Sequence, residues 1–493
     1  NALDKSTFPH VLIYNQATGE FSYEEGPWGN RLAGDEVSAP VPEGIGGPVR
    51  DLFIYENRLC LLTGENVLCS EAGDFFNFFP TTVTTIIDSD PIDIAGTGSR
   101  VAVWDYAVPV RRQVLLFSSV GNVVSVLSGA QDKNLSLKNA RIQVLGAWAH
   151  SKLRPSTLGK QVYFTHDRGG SSSVNEMKEI EVELWNADDI TAHVPGYIPR
   201  SLVDASAGTA EQIIVYRSDL VDNELYVYGA ETINGQAVIS SWSKWIFDES
   251  DQILSSEWVE SILYLVVNRH DGVHIEKIDF GKVDDDLGLG ATPLGHRVHL
   301  DSLVSVTGTY DPATGNTFFA MPYMPIGVGG EGGEYAIVRG GAWGSRRGAP
   351  ITVSLSVPTG LVAIGDFSAH PVYIGRKYLS NYEVSTIVKR NAEGFGEIAG
   401  RLQLRRGRVV YSDTGAFDVV VGSDKDTFET RVSFNAVTVG GSLLGHIDPA
   451  DGSFPFHIGG KNEDVNVSFQ SDSFLPFKIS SLNWEGRFYK TAQ

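Results

Sequence analysis

Apolar residues along this chain fall on every second position in short runs, as in Arg401-Leu-Gln-Leu-Arg405 and Phe428-Glu-Thr-Arg-Val-Ser-Phe434, and clusters of Gly, Asn, Asp and Ser separate the runs. A period of two is that of a strand with one buried face, and helical periodicity is nearly absent, so the pattern predicts an all-β protein. One helical turn is expected after Ser70, with Glu71 and Asp74 near its positive end. A larger unit repeats: an apolar strand, a polar turn and a second apolar strand. It occurs at Leu59–Leu62 with Val67-Leu68, Val114–Phe117 with Val123–Leu127, and Val162–Phe164 with Val174–Ile180. It returns at Leu225–Tyr228 with Val238–Trp242, Ile262–Leu265 with Val273–Ile278, and Phe318–Ala320 with Tyr335–Val338. Six hairpin units whose first strands start between 37 and 63 residues apart, around the 40–50 residues a four-stranded blade needs, predict a six-bladed β-propeller, since a small sheet must stack on neighbours to bury both faces. Two packed antiparallel sandwiches would give a similar string.

The texture changes on both sides of this stretch. Ala39-Pro-Val-Pro-Glu-Gly-Ile-Gly-Gly-Pro48 reads as an extended linker, and beyond Gly340-Gly-Ala-Trp-Gly344 the strands lengthen and alternate more strictly. The expected division is 1–47 as an N-terminal region with its linker, 48–344 as the propeller, and 345–493 as a β-sandwich-like domain with a C-terminal strand. The chain begins Asn-Ala-Leu-Asp without Met, so it is expected to be a fragment lacking an N-terminal part.

Composition narrows the function classes. With 42% hydrophobic and 20% charged residues the chain matches ordinary globular usage, which argues against disorder. The longest apolar stretches, such as Ile262 to Val267, fall far short of the roughly 20 residues a membrane helix needs, so no membrane-spanning segment is expected. Sixty acidic against thirty-nine basic residues leave a net charge of −21, which repels phosphate and argues against adhesive nucleic-acid binding. Between 376 and 408 the sign reverses, with Arg376, Lys377, Lys389, Arg390, Arg401, Arg405, Arg406 and Arg408 against Glu383, Glu393 and Glu397. This asymmetry suits either head-to-tail contact between unlike patches of neighbouring subunits or a solvated basic strand face. Cys60 and Cys69 alone cannot build a four-cysteine zinc site. A two-residue turn at Gly64-Glu65 would pair 60 with 69, and reduced packed thiols are expected there in preference to a bridge.

Tests for chemistry largely fail. Gly327-Val-Gly-Gly-Glu-Gly332 has dinucleotide-loop spacing, yet the strand expected at 335–338 stands where a helix should start. No Gly-Lys-Ser/Thr and no Gly-x-Ser-x-Gly occurs. His296 and His299, three apart on an expected strand, would face opposite sides, and Asp284-Asp-Asp286 lacks the later Gly and Glu of a calcium loop. Paired carboxylates for glycoside cleavage meet only in space, and the Ser-x-Asp-x-Gly-x-x-Trp turns of sialidase-type propellers are missed in spacing at 412–415 and 311–315. No catalytic residue, metal site or cofactor is therefore expected.

Ser70-Glu-Ala-Gly-Asp-Phe-Phe-Asn-Phe-Phe-Pro80, followed by Asp88-Ser-Asp-Pro-Ile-Asp93, resembles the signature stretch of the tail nozzle (tail tubular protein B) family of short-tailed bacteriophages. Further segments are similar in the same order: 187–199, Trp242-Ser-Lys-Trp245, 299–302 with 306–310, 400–405 and 479–486. Members of that family are usually longer at the N-terminus. The resemblance implies a homohexameric ring in the virion tail, assembled in the host cytoplasm. That ring would stand below the portal and the adaptor (tail tubular A) ring, carry tail fibres at its side, and pass double-stranded DNA without sequence-specific binding. Asp284, Asp285 and Asp286 and the loop with Gly327, Gly329, Gly330 and Glu331 are the candidate channel-facing positions. Phe75, Phe76, Phe78 and Phe79, with Arg405, Arg406 and Arg408, are the candidate subunit interface, although a local core would also account for the phenylalanines. The rival readings are a propeller hydrolase of polysaccharide or peptidoglycan, and a glycan-binding tail module using some of the nine Trp and eighteen Tyr.

Overall fold

The computed structural model describes residues 4–96, 101–129, 134–181, 184–233, 236–281, 294–325, 334–390, 400–423, 429–436 and 448–490. Among them the regular structure is β, apart from two short 3-10 turns at Lys5–Thr7 and Gly341–Arg346. Among the described residues no helix is long and apolar enough to cross a membrane. The chain forms two compact units, Asn1–Asp279 and Phe280–Gln493.

The first unit opens with a two-stranded hairpin, His10–Asn15 against Glu20–Glu25. Successive antiparallel meanders follow. The first comprises Val49–Tyr55, Arg58–Thr63, Asn66–Cys69 and Ile92–Ala95, and the second Tyr106–Val110, Gln113–Ser118, Val123–Ser128 and Arg141–Ala147. The third comprises Ser156–Leu158, Gln161–Arg168, Ser171–Glu181 and Leu184–Asp189, and the fourth Leu202–Gly208, Ile213–Ser218, Glu224–Ile233 and Gln236–Ile246. The fifth has three strands, Gln252–Val259, Ile262–Arg269 and Gly272–Asp279. Tight turns make these meanders possible. Glu56 and Asn57 both adopt positive φ (45° and 58°), which matches the twist a two-residue hairpin requires.

Stacking explains why the second and third strands of a meander read as solid apolar runs. In Gln113–Ser118 and Val123–Ser128 every residue is buried, because each face meets a different neighbour. Val114 and Leu116 pack with Leu62, Val67 and Trp104 of the first meander's core, while Leu115 and Phe117 pack with Val162, Phe164 and Trp185 of the third. Tyr163 and Val174 then pack with Ile214, Tyr216 and Tyr228 of the fourth.

A polar latch recurs at the first strands. Asp51 Oδ2 accepts the Ala107 N–H at 2.9 Å, and Asp204 Oδ2 accepts the Ser256 N–H at 3.0 Å. Both aspartates directly follow a break in register, between Val49 and Asp51 and between Leu202 and Asp204. A bulge re-aims the side chain after it, here toward the next meander. A structural repeat is thus present without any repeated sequence signature.

The second unit holds two sandwiches. In the first, the sheet ordered Asp301–Val306, Val372–Arg376, Tyr335–Arg339, Pro350–Ile351 packs on the sheet ordered Thr309–Asp311, Asn316–Ala320, Gly360–Ile364, Leu355–Val357, through Phe319, Ile337, Leu361 and Ile374. In the second, Ser380–Val384, Val465–Ser471, Ala416–Ser423 and Glu429–Asn435 face a three-stranded sheet in which Gly400–Thr414 lies between Ala450–Lys461 and Ile479–Lys490. Phe417, Val419, Phe456 and Phe469 fill its core.

Three expectations are corrected here. Five of the six predicted strand pairs form hairpins, whereas the sixth does not: Asn316–Ala320 pairs with Gly360–Ile364, and Tyr335–Arg339 with Val372–Arg376. Its two apolar runs meet face to face across a sandwich core instead of edge to edge. The segment after Ser70 forms turns, with an isolated bridge between Glu71 and Asp74, and no helix. Asp74 Oδ1 accepts the Phe76 N–H at 3.1 Å, the local side-chain bonding by which Asp competes with helix. The pairing of Cys60 with Cys69 is found as expected, but the two are joined in a disulfide with Cα atoms 4.0 Å apart. Ser70 N–H donating to the Leu59 carbonyl makes 60 and 69 a non-hydrogen-bonded pair, the position that brings side chains closest.

Because the turn already closes this small loop, the cross-link is expected to add only about 2 kcal/mol. Replacing both cysteines with Ala should lower the thermal midpoint by no more than about 8 °C and leave the circular dichroism spectrum unchanged. A loss of fold would contradict this.

Candidate functional site

The phenylalanines of the signature stretch divide between two environments. Phe78 and Phe79 are buried, sharing a cluster with Phe8, Trp28, Leu61 and Leu68, Phe76 is half-buried and packs against it, and Phe75 is half-buried. Trp28 is the centre of this cluster, with ring centroids 5.0 Å from Phe8, 5.1 Å from Phe76 and 6.0 Å from Phe78. Its indole N–H donates to the Pro9 carbonyl at 3.2 Å, and the Arg31 guanidinium lies over the Phe79 ring. Asn77 fixes the loop from within, donating to Glu71 Oε2 at 2.7 Å and accepting the Phe79 N–H at 3.0 Å.

Arg58 holds this loop from below. Only 1% exposed, it sends Nη1 to the carbonyls of Ser70 (2.7 Å), Asp90 (2.8 Å) and Ser89 (3.1 Å), and Nη2 to that of Asp88 (2.7 Å). Burial lowers its pKa from the usual arginine value, and Glu56, Glu71 and Asp90 work in the opposite direction. One guanidinium thus fastens both ends of the segment that carries the phenylalanines. A single Arg within a strand gives no sequence signal of such a role, and neither does Trp28, whose partners lie about twenty residues away at Phe8 and Pro9 and about fifty at Phe76 and Phe78.

The basic run of 376–408 does not form one patch. Arg376 pairs with Glu334 at 3.3 Å in the first sandwich, and Lys389 lies 4.4 Å from the Phe488 ring centroid. Arg401, Arg405, Arg406 and Arg408 are exposed on Gly400–Thr414, the central strand of the three-stranded sheet. Between Leu404 and Arg406 the register shifts on both flanking strands, and this bulge turns both Arg405 and Arg406 outward. Arg487, on the neighbouring strand opposite Gln403, adds a fifth exposed guanidinium that the sequence reading missed. Among the described residues none of the five is in an ion pair. Arg401 Nη2 donates to Gln403 Oε1 at 3.3 Å.

Asp284, Asp285, Asp286, Gly327, Gly329, Gly330 and Glu331 lie outside the described residues. His296 and His299 occupy an irregular segment instead of a strand. His296 is buried, and the His299 pKa is pushed down to about 4, chiefly by burial, then by Arg297, His296 and Lys478, against the pull of Asp413. Among the described residues no group of three or more His, Cys, Asp or Glu side chains could hold a metal ion.

A family model described as bacteriophage nozzle protein matches residues 1–493. The tail tubular protein gp12 of Escherichia phage T7 is 28% identical over 502 residues, covering 98% of this chain and 61% of that protein, so the chain spans less than two thirds of this curated relative's length. Among solved structures, Hsv2 of Kluyveromyces lactis is similar at 12% identity and a TM-score of 0.31, covering 56% of this chain and 68% of that one. An exo-β-1,3-galactanase of Phanerochaete chrysosporium is similar at 9% identity and a TM-score of 0.24, covering 97% and 100%. Scores this low carry no argument.

Proposed function

The chain belongs to the bacteriophage nozzle protein family, whose members are structural components of the phage tail, and on that premise we propose that it forms the wall of a DNA-conducting tail tube. In this reading six copies close a ring below the adaptor, the lumen passes double-stranded DNA, and fibres attach outside. The protein conducts and catalyses nothing. The observation that carries the reading is the family match from the first residue to the last.

The chemistry of the chain supports it. A net charge of −21 keeps phosphate from adhering to a lumen through which a duplex must slide. We read the successive meanders as propeller blades, a rigid wedge suited to repetition around an axis, in which each subunit contact is reused. Asp284–Asp286 and the 327–331 loop stay as the proposed lumen-facing positions, and Phe75, Phe76 and the Arg405, Arg406 and Arg408 group as proposed contact residues. Native mass measurement of the purified chain should give a species of six times 53.5 kDa. A monomer at every concentration tested would remove the ring.

A further inference from the structure

We propose that the turn joining Tyr335–Arg339 to Pro350–Ile351 in the first sandwich binds a dianionic oxyanion of the phosphate type through Arg339, Arg346 and Arg347. This site goes beyond the tube reading and does not depend on it. Gly344 (φ 59°, ψ −119°) reverses the chain within Gly341–Arg346, in a backbone region that favours glycine. Three backbone bonds then close the turn. Arg347 N–H donates to the Gly344 carbonyl at 3.2 Å, Ala349 N–H to that of Arg346 at 3.2 Å, and Gly348 N–H to that of Arg339 at 2.8 Å. One closed loop thereby carries three arginines.

Their surroundings hold them without neutralising them. The Arg339 guanidinium lies 5.5 Å from the Trp343 ring centroid and 5.3 Å from that of Phe367. Its Nη1 donates to the carbonyls of Ala349 (3.3 Å) and Pro350 (3.0 Å). Burial lowers its pKa from the usual arginine value, Arg346 lowers it further, and no carboxylate works in the opposite direction. Arg58, by contrast, has three carboxylates against its burial. Arg50, Arg154 and Arg431 each meet an acid, at 2.8 Å to Asp105, 2.6 Å to Asp51 and 3.0 Å to Asp418. Among the described residues none of Arg339, Arg346 and Arg347 is in an ion pair, and Nε of Arg339 and of Arg347 is buried without a hydrogen-bond partner. Arg346 is exposed.

Like charges gathered in one turn disfavour each other, and a bound anion reverses that effect. Each guanidinium offers a planar fork that matches two oxygens of a carboxylate or phosphate. Three forks exceed what one carboxylate can accept, whereas a phosphate group presents more oxygens and a second charge. The net charge of −21 repels a long polyanion as a whole, so a single small group fits this site better than duplex DNA does.

Isothermal titration of the full chain with potassium phosphate at fixed ionic strength should show one saturable site per chain, with acetate at least about tenfold weaker. Arg346→Gln/Arg347→Gln should weaken phosphate binding at least about thirtyfold, and Arg346→Lys/Arg347→Lys, which keeps the charge and loses the fork, should fall between. Lys160→Gln, at an exposed position in the third meander, should bind as the unaltered chain does. Thermal midpoints without phosphate check that each variant is folded. Glucose 6-phosphate binding more tightly than inorganic phosphate would mark a sugar-borne group as the ligand, and equal affinity the free ion; both agree with the proposal. Four results would overturn it: no saturation up to about 20 mM phosphate, unchanged affinity in the Gln variant, equal affinity for acetate, or duplex DNA binding through these arginines when phosphate does not. None of the four bears on the ring, which native mass measurement tests separately.

Discussion

Replacing Arg58 with Ala is expected to lower the thermal midpoint of the first unit by about 10 °C, the equivalent of roughly 4 kcal/mol for a unit of this size. Four carbonyls from Ser70 and 88–90 converge on this one guanidinium. Alanine leaves these acceptors inside the protein without their donor, and each buried orphan costs about 1–3 kcal/mol before local relaxation. The same change frees both ends of the segment bearing Phe75 and Phe76, so near-ultraviolet circular dichroism should lose aromatic signal before the secondary structure melts. Arg58→Lys, which keeps the charge but reaches fewer carbonyls, should fall between. A midpoint within 2 °C of the unaltered chain would show that the loop does not depend on this residue.

The second large effect is expected in the fifth meander. Arg269, with a side chain 8% exposed, bonds Asp251 Oδ2 at 2.7 Å and grips both oxygens of Glu276 at 2.7 Å. Its guanidinium lies over the Phe247 ring at 5.6 Å. Arg269→Met takes the guanidinium away from two carboxylates, that of Asp251 with no solvent exposure at all, and breaking a buried ion pair from one side costs about 3–5 kcal/mol. Adding Asp251→Asn to that variant removes the buried charge and should return part of the loss. Urea midpoints of the unaltered chain, the single variants and the double variant make a cycle that isolates the coupling. Additive losses would refute the linkage.

How far the sequence reaches can be judged from particular residues. The pairing of Cys60 with Cys69 was legible because a two-residue turn at Gly64-Glu65 fixes register, and the structure pairs Thr63 with Asn66 accordingly. The fate of Phe318–Ala320 and Tyr335–Val338 was not legible. An apolar run looks the same whether its neighbour is hydrogen-bonded beside it or stacked across a core. The basic run at 376–408 shows the opposite limit: adjacency along the chain suggested one patch, and the fold places Arg376 in a different sandwich from Arg401. Arg487 joins the patch only because Ile479–Lys490 lies beside Gly400–Thr414. Within 401–405 strict alternation puts Arg401 and Arg405 outward, with Leu402 and Leu404 in the core. Arg406 and Arg408 share that face only because of a bulge that no local signal announces. Arg58 and Trp28 escaped for a related reason, since backbone carbonyls and distant rings leave no trace in residue pattern.

The double-sided burial of the middle meanders has a consequence for any attempt to shorten the chain. Cutting out the third one would lay bare Leu115 and Phe117 on one flank and Ile214 and Tyr216 on the other, two raw apolar faces each shaped against side chains that are gone. A truncated product of that kind should precipitate instead of yielding a shorter stack of meanders, so viable length changes belong at the solvent-facing tips of the turns.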